Sequence, residues 1–187
     1  MNVKTAFGTN FRRSYLLNSV VLLLGLCGVH IAQAQVRYSI SADGSEVSDS
    51  KTGLIWRRCS EGQTWSAGNC TGPAATYSHE QALAQAKTQI GWRLPNVKEL
   101  SSIADRTRSN PTIDVITFPT TLSDKYWTST PFAGVNYDKS YLQFPMALLS
   151  ALAPYGNCGY CAWVVDFGTG EVVNNGRSNT RRVRLVR

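Results

Sequence analysis

The stretch Gly91-Trp92-Arg93-Leu94-Pro95-Asn96-Val97-Lys98-Glu99-Leu100 constrains the fold more than any other part of this chain. Trp92 and Leu94 stand two residues apart, the spacing of one face of an extended segment entering a core. The ring of Pro95 disfavours the α region for Leu94, so no helix runs through that point. Asn96 is a natural N-cap, and Glu99 falls where its carboxylate reaches back to the cap amide. Val97, Leu100, Ile103 and Ala104 then supply the apolar stripe of a helix from Val97 to about Asp105. Arg93, flanked by core residues, needs a partner within the fold. These ten residues therefore specify a sharp corner, an extended segment turning into a capped helix.

The beginning of the chain reads as an address. Lys4, Arg12 and Arg13 precede an apolar run over 16–31, and Ala32-Gln33-Ala34 offers the small residues of a signal peptidase site. The expectation is a signal peptide over 1–34 and one mature domain over 35–187, about 150 residues, enough for a real core. The run is short for a retained anchor, and Leu26 before Cys27 argues against a lipoprotein. Arg12-Arg13 weakly resembles a twin-arginine signal, but the strongly apolar run favours the general secretory route. The expected location is exported: periplasm, cell surface or secreted, with no membrane span in the mature chain. The leader holds three of the 19 basic residues and none of the 12 acidic ones, leaving 16 against 12. That balance is only mildly basic and gives no reason to expect a nucleic-acid partner.

Cysteine usage agrees with export. Cys27 leaves with the leader, and Cys59, Cys70, Cys158 and Cys161 remain, with three possible pairings. Proximity in sequence favours Cys59 with Cys70, across a Gly/Ser/Asn-rich loop, and Cys158 with Cys161, across a turn. Cys158-Gly159-Tyr160-Cys161 also has the spacing of a redox motif or half a zinc site. A thioredoxin-like nucleophile sits at a helix N-terminus, whereas this motif leads into a strand, so structural disulfides are the expectation. A thiol oxidoreductase using Cys158 and Cys161 is the less favoured alternative.

Strands are expected over 36–40, 46–48 and 54–56. Ser78 with Gln81 reads as a capping box opening a helix from His79 to about Gln89, with Ala82, Leu83, Ala86 and Ile90 on its buried face and Gly91 ending it. From 107 to 159 the chain shows little periodicity apart from a strand over 126–129. Its run 146–153 is almost continuously apolar and reads as a short buried turn. The alternative is an exposed contact surface, by which the 139–160 insertion would dock onto an envelope protein partner. At the end, Trp163, Val165 and Phe167 fall on one face of a strand, 171–174 returns, and 181–187 forms the last strand of a meander. There Val183 and Leu185 point one way, Arg182 and Arg184 the other. The class is α+β, with two helices, a small antiparallel sheet and long irregular loops.

Seven strings in order carry a likeness: Asp49 to Trp56, Gly91 to Asn96 with Glu99 and Leu100, Asn110 to Asp114, Phe118-Pro119, Tyr126 to Thr130, Ala162 to Phe167, and Val183 to Arg187. Over 47–187 the chain resembles the Lcl C-terminal domain family, named for the C-terminal domain of the Legionella collagen-like adhesin. The resemblance implies a C-type-lectin-like fold, an exported or cell-surface bacterial setting, and binding of sulfated polysaccharides. This chain departs from the adhesin in having no Gly-X-Y repeat, and so no collagen-like stalk, and in its longer 139–160 region.

Catalytic chemistry is thinly supplied. His79 is the mature chain's single histidine and reads as a solvated helix-start residue; no nucleophile elbow, phosphate loop or His-rich metal motif occurs. No catalytic residue, metal ligand or cofactor is assigned. Binding has more to work with, because arginine's planar fork suits sulfate, phosphate and carboxylate. Arg177, Arg181 and Arg182 near the last strand, with Arg57 and Arg58 at the end of the Trp56 strand, are the candidate residues for an acidic or sulfated polysaccharide. Arg184 and Arg187 are instead expected to pair with buried acids such as Asp114 or Asp166. The sequence thus points to an exported, non-catalytic binding module for glycans or other polyanions at the envelope or surface.

Overall fold

In the computed structural model, which describes residues 36–133, 158 and 160–187, short strands and two short helices combine in a mixed α+β arrangement. The expected leader and the apolar run 146–153 lie outside the described residues. Strands β1 (Tyr38–Ile40), β2 (Glu46–Asp49) and β3 (Leu54–Arg57) form an antiparallel sheet in that order. Its inner face carries Val47 and Trp56, both fully buried. Asp49 is also buried, and Arg37 grips both its oxygens at 3.0 and 2.7 Å. Burial pushes that carboxyl up, but the bonds from Arg37, the Lys51 amide and Thr52 together outweigh it and hold the group below the usual range.

The polar loop expected after Trp56 contains a hairpin, β4 (Thr64–Ser66) with β5 (Asn69–Thr71). Each strand is three residues long, too short for alternation to register in the sequence. Helix α1 (His79–Lys87) starts with the capping box read from Ser78 and Gln81, and buries Ala82 and Ala86. It ends two residues earlier than expected. Thr88 is its C-cap and Gly91 turns the chain at φ +77°. Ile90, expected on the buried face, is therefore 98% exposed, because its register was lost with the helix. His79 also departs from the reading as a solvated residue. It is buried, its Nε2 lies 3.0 Å from the Thr128 carbonyl, and its ring meets Trp127 edge-on.

Helix α2 (Val97–Ser102) follows the Pro95 corner with the expected Asn96–Glu99 box, though it stops short of Asp105. Arg93 finds its partner in Glu99, donating to both oxygens at 2.7 and 2.8 Å. The pair is local and partly exposed, so the charge is satisfied at the surface rather than in the core.

Strands β6 (Lys125–Pro131), β7 (Cys161–Asp166) and β8 (Glu171–Gly176) form the second antiparallel sheet, with β7 central. The expected single apolar face is in fact two. Ala162 and Val164 join Ala82, Ala86 and Trp127 on one side, while Val165 and Phe167 join Trp56, Leu100, Ile113 and Phe118 on the other.

Residues 181–187 do not extend the meander. Arg181 pairs with Tyr77 and Arg182 with Tyr126, along the edge of β6. The segment then runs antiparallel to β3, with Val186 bridged to Trp56 on one side and to Arg93 on the other. Val183, Arg184, Leu185 and Val186 are all fully buried, so of the expected polar face only Arg182 keeps partial exposure.

Candidate functional site

The five candidate arginines part company once the chain is folded. Arg58 turns inward at the end of β3 and is 6% exposed. Its guanidinium donates to the carbonyls of Thr117 at 2.7 Å, Gly44 at 2.7 Å and Ile116 at 2.8 Å, tying two loops to the sheet. It is a strut, and burial lowers its pKa. Arg182 ion-pairs with Asp124 at 3.2 Å and donates to the Ala74 carbonyl. Arg177 holds the Cys161 carbonyl at 3.1 Å and approaches Glu80 at 3.7 Å, close to the start of α1. Arg181 donates to Asn175 and to the Thr180 carbonyl, and has no acidic partner among the described residues.

Arg184 was expected beside an acid. It is completely buried without one, bonding the carbonyls of Arg57 and Arg58 and, at 2.6 Å, the Thr121 hydroxyl. Burial lowers its pKa to about 10. Carbonyls of consecutive strand residues point in opposite directions, so two of them on one guanidinium mark a sharp bend where β3 ends. Alternation along β3 sends Arg57 outward and Arg58 inward.

Arg57 emerges into a cleft of about 280 Å³ between β2, β3 and the β4–β5 hairpin, lined also by Ser45, Glu46, Gln63, Thr64 and Trp65. Glu46 stands directly opposite Arg57 in the β2–β3 register. At the rim, Arg57 lies 4.9 Å from the Trp92 ring centre and Arg187 lies 4.8 Å from the same centre. Such guanidinium–indole contacts are attractive and hold both partners in place. Each arginine also has an acid: Glu61 at 3.3 Å for Arg57 and Glu46 at 2.6 Å for Arg187. The surface therefore carries both signs of charge, with two planar forks held against one indole.

Residues 45–187 match the family model of the Lcl C-terminal domain. The chain belongs to that family. A comparison with curated proteins finds no match. The Lcl C-terminal domain is an adhesin-like family and not a known enzyme family. Both expected disulfides are present, Cys59–Cys70 stapling the hairpin and Cys158–Cys161 closing the turn into β7. Two disulfides are consistent with an oxidising, extracytoplasmic setting. Among the described residues no helix is long and apolar enough to cross a membrane, and no three His, Cys, Asp or Glu side chains gather as metal ligands.

Sequence reasoning missed Arg187, Trp92 and Trp65 as members of this surface. Trp92 looked like a core residue because of its spacing from Leu94, and Trp65 was hidden in a loop with no visible period. A tryptophan among Gly, Ser and Asn was the available signal, since an apolar ring in such a loop has no strand or helix face to serve.

Proposed function

We propose that this protein is an exported, non-catalytic, C-type-lectin-like binding module that acts at the bacterial envelope or surface and recognises acidic glycans or other polyanions. The observation that carries the ligand class is the placement of Arg57 and Arg187 against Trp92 at the rim of the cleft. Two pre-positioned guanidinium forks suit paired contacts to sulfate or carboxylate, and the ring fixes them before a ligand arrives. The two capped helices, small antiparallel sheets and long irregular connections support the lectin-like fold. Arg181, which lacks an acidic partner among the described residues, is a secondary contact on a separate surface near α1.

The oxidised protein is expected to be retained on heparin-type resin at low salt and released as salt screens the contacts. Arg57→Ala/Arg187→Ala should elute at clearly lower salt. Arg181→Ala/Arg182→Ala should shift less, because Arg182 is already tied to Asp124. Unchanged elution of the first variant would sink the assigned surface, and no retention at low salt would eliminate the ligand class.

A further inference from the structure

Trp65 packs into neither hydrophobic core, yet it is fixed from several directions. Its Nε1 donates to the Asp43 carbonyl at 2.8 Å, and the Arg58 guanidinium lies 4.4 Å from its ring centre. Gly44 sits against the same ring, at φ +78°, and a Cβ there would come within 2.7 Å of it. Gly44 is itself held by Arg58 through its carbonyl. The hairpin carrying Trp65 is stapled at Cys70, the residue directly across from it. A positive-φ glycine without room for a side chain, a buried arginine and a disulfide thus converge on one indole that fills no core. Its orientation is set in advance, which removes the ordering cost a ligand would otherwise meet.

Trp65 lines the cleft that also holds Glu46 and Arg57. Being opposite each other in register, these two project from the same face of the sheet. A carboxylate and a guanidinium are both planar and two-pronged, the form that engages two neighbouring hydroxyls at once. Glu46 balances the positive charge here, being paired with Arg187 and opposite Arg57, so the cleft itself has no excess positive charge to draw an anionic group. The volume of about 280 Å³ lies at the small end for ligand pockets.

We propose that this cleft holds one uncharged pyranose ring of the bound glycan, its C–H face against Trp65 and its neighbouring hydroxyls shared between Glu46 and Arg57. The inference rests on the reading of this surface as a glycan site but not on the charge of the glycan. The rim arginines would then supply attraction to acidic substituents while the cleft reads an uncharged sugar unit.

The test uses immobilised uncharged oligosaccharides of glucose, galactose, mannose and N-acetylglucosamine, with the strongest binder followed by tryptophan fluorescence. Binding is expected to persist at about 0.5 M sodium chloride, where exposed ionic contacts are screened. Trp65→Ala should weaken it about tenfold, the loss of one aromatic stacking contact, and Trp65→Tyr should retain most of the affinity. Thermal melts of both variants establish that they are folded. The inference is overturned if no uncharged oligosaccharide binds the oxidised protein, or if folded Trp65→Ala binds as tightly as the parent. Retention on heparin without response to neutral sugars overturns the cleft assignment alone. The reverse result overturns the polyanion reading alone.

Discussion

Replacing Arg58 with Met separates two roles that the sequence could not tell apart. The thioether keeps much of the stem's packing and removes every donor. Three carbonyls then lose their partner, of which the Thr117 carbonyl is buried and those of Gly44 and Ile116 are partly buried. A buried acceptor left bare costs about 1–3 kcal/mol, and partly buried ones recover some of that from water. The contact with Trp65 adds about 0.5–1 kcal/mol. Relief from burying a guanidinium that has no acid offsets part of the loss, so the net destabilisation is about 3 kcal/mol. For a domain of this size that lowers the melting temperature by roughly 6–12 °C. Thermal unfolding followed by circular dichroism measures it, and chromatography on heparin-type resin in the cold reports the ligand side. Arg58→Met should melt early and, while folded, elute close to the parent. If it melts within about 2 °C of the parent and no longer binds the resin, Arg58 is a ligand residue and the strut assignment fails.

Two further outcomes concern stability alone. Burial depresses the pKa of His79, with the Thr128 carbonyl opposing and Arg177 assisting. The unfolded chain therefore binds the proton more readily, and stability falls as pH drops through the ordinary histidine value of 6.5 and below. Urea unfolding at pH 8 and pH 5.5 should display that loss, and His79→Gln should remove most of the difference; an equally steep dependence in the variant would refute the role. Opening the Cys59–Cys70 bridge, which spans 11 residues, with Cys59→Ala/Cys70→Ala should cost about 3 kcal/mol by loop entropy. A denaturant midpoint unchanged from the parent would mean that the hairpin is held by other contacts.

Features determined within a few residues were legible in the sequence. Both capping boxes, at Ser78–Gln81 and Asn96–Glu99, formed as read, because a cap needs only its own turn. Both cysteine pairs are close in sequence and found each other. What failed was parity. Alternation along 181–187 predicted a polar face for Arg182 and Arg184, but the stretch from Val183 to Val186 is covered on both sides and buries each residue whatever its polarity. The cleft was illegible for another reason. Its lining falls within residues 45–65, but on short strands whose pairing, Glu46 opposite Arg57, no single-segment pattern encodes, and Arg187 reaches Glu46 across 141 residues. The arginine count did signal a cationic surface, but the fold decided which arginines reach it: Arg58 and Arg184 turn inward, whereas Arg57 and Arg187 meet at Trp92.

The course of residues 181–187 also bears on when this domain can become a domain. Val183 and Leu185 complete one core and Val186 completes the other. The same segment supplies carbonyl acceptors to Ile55, Arg57, Glu61, Tyr77, Arg93 and Trp127. Until it arrives, β3, the Pro95 corner and β6 lack a common edge, and neither core is closed. Losing this segment is therefore expected to open both cores in one cooperative step rather than fray a single edge.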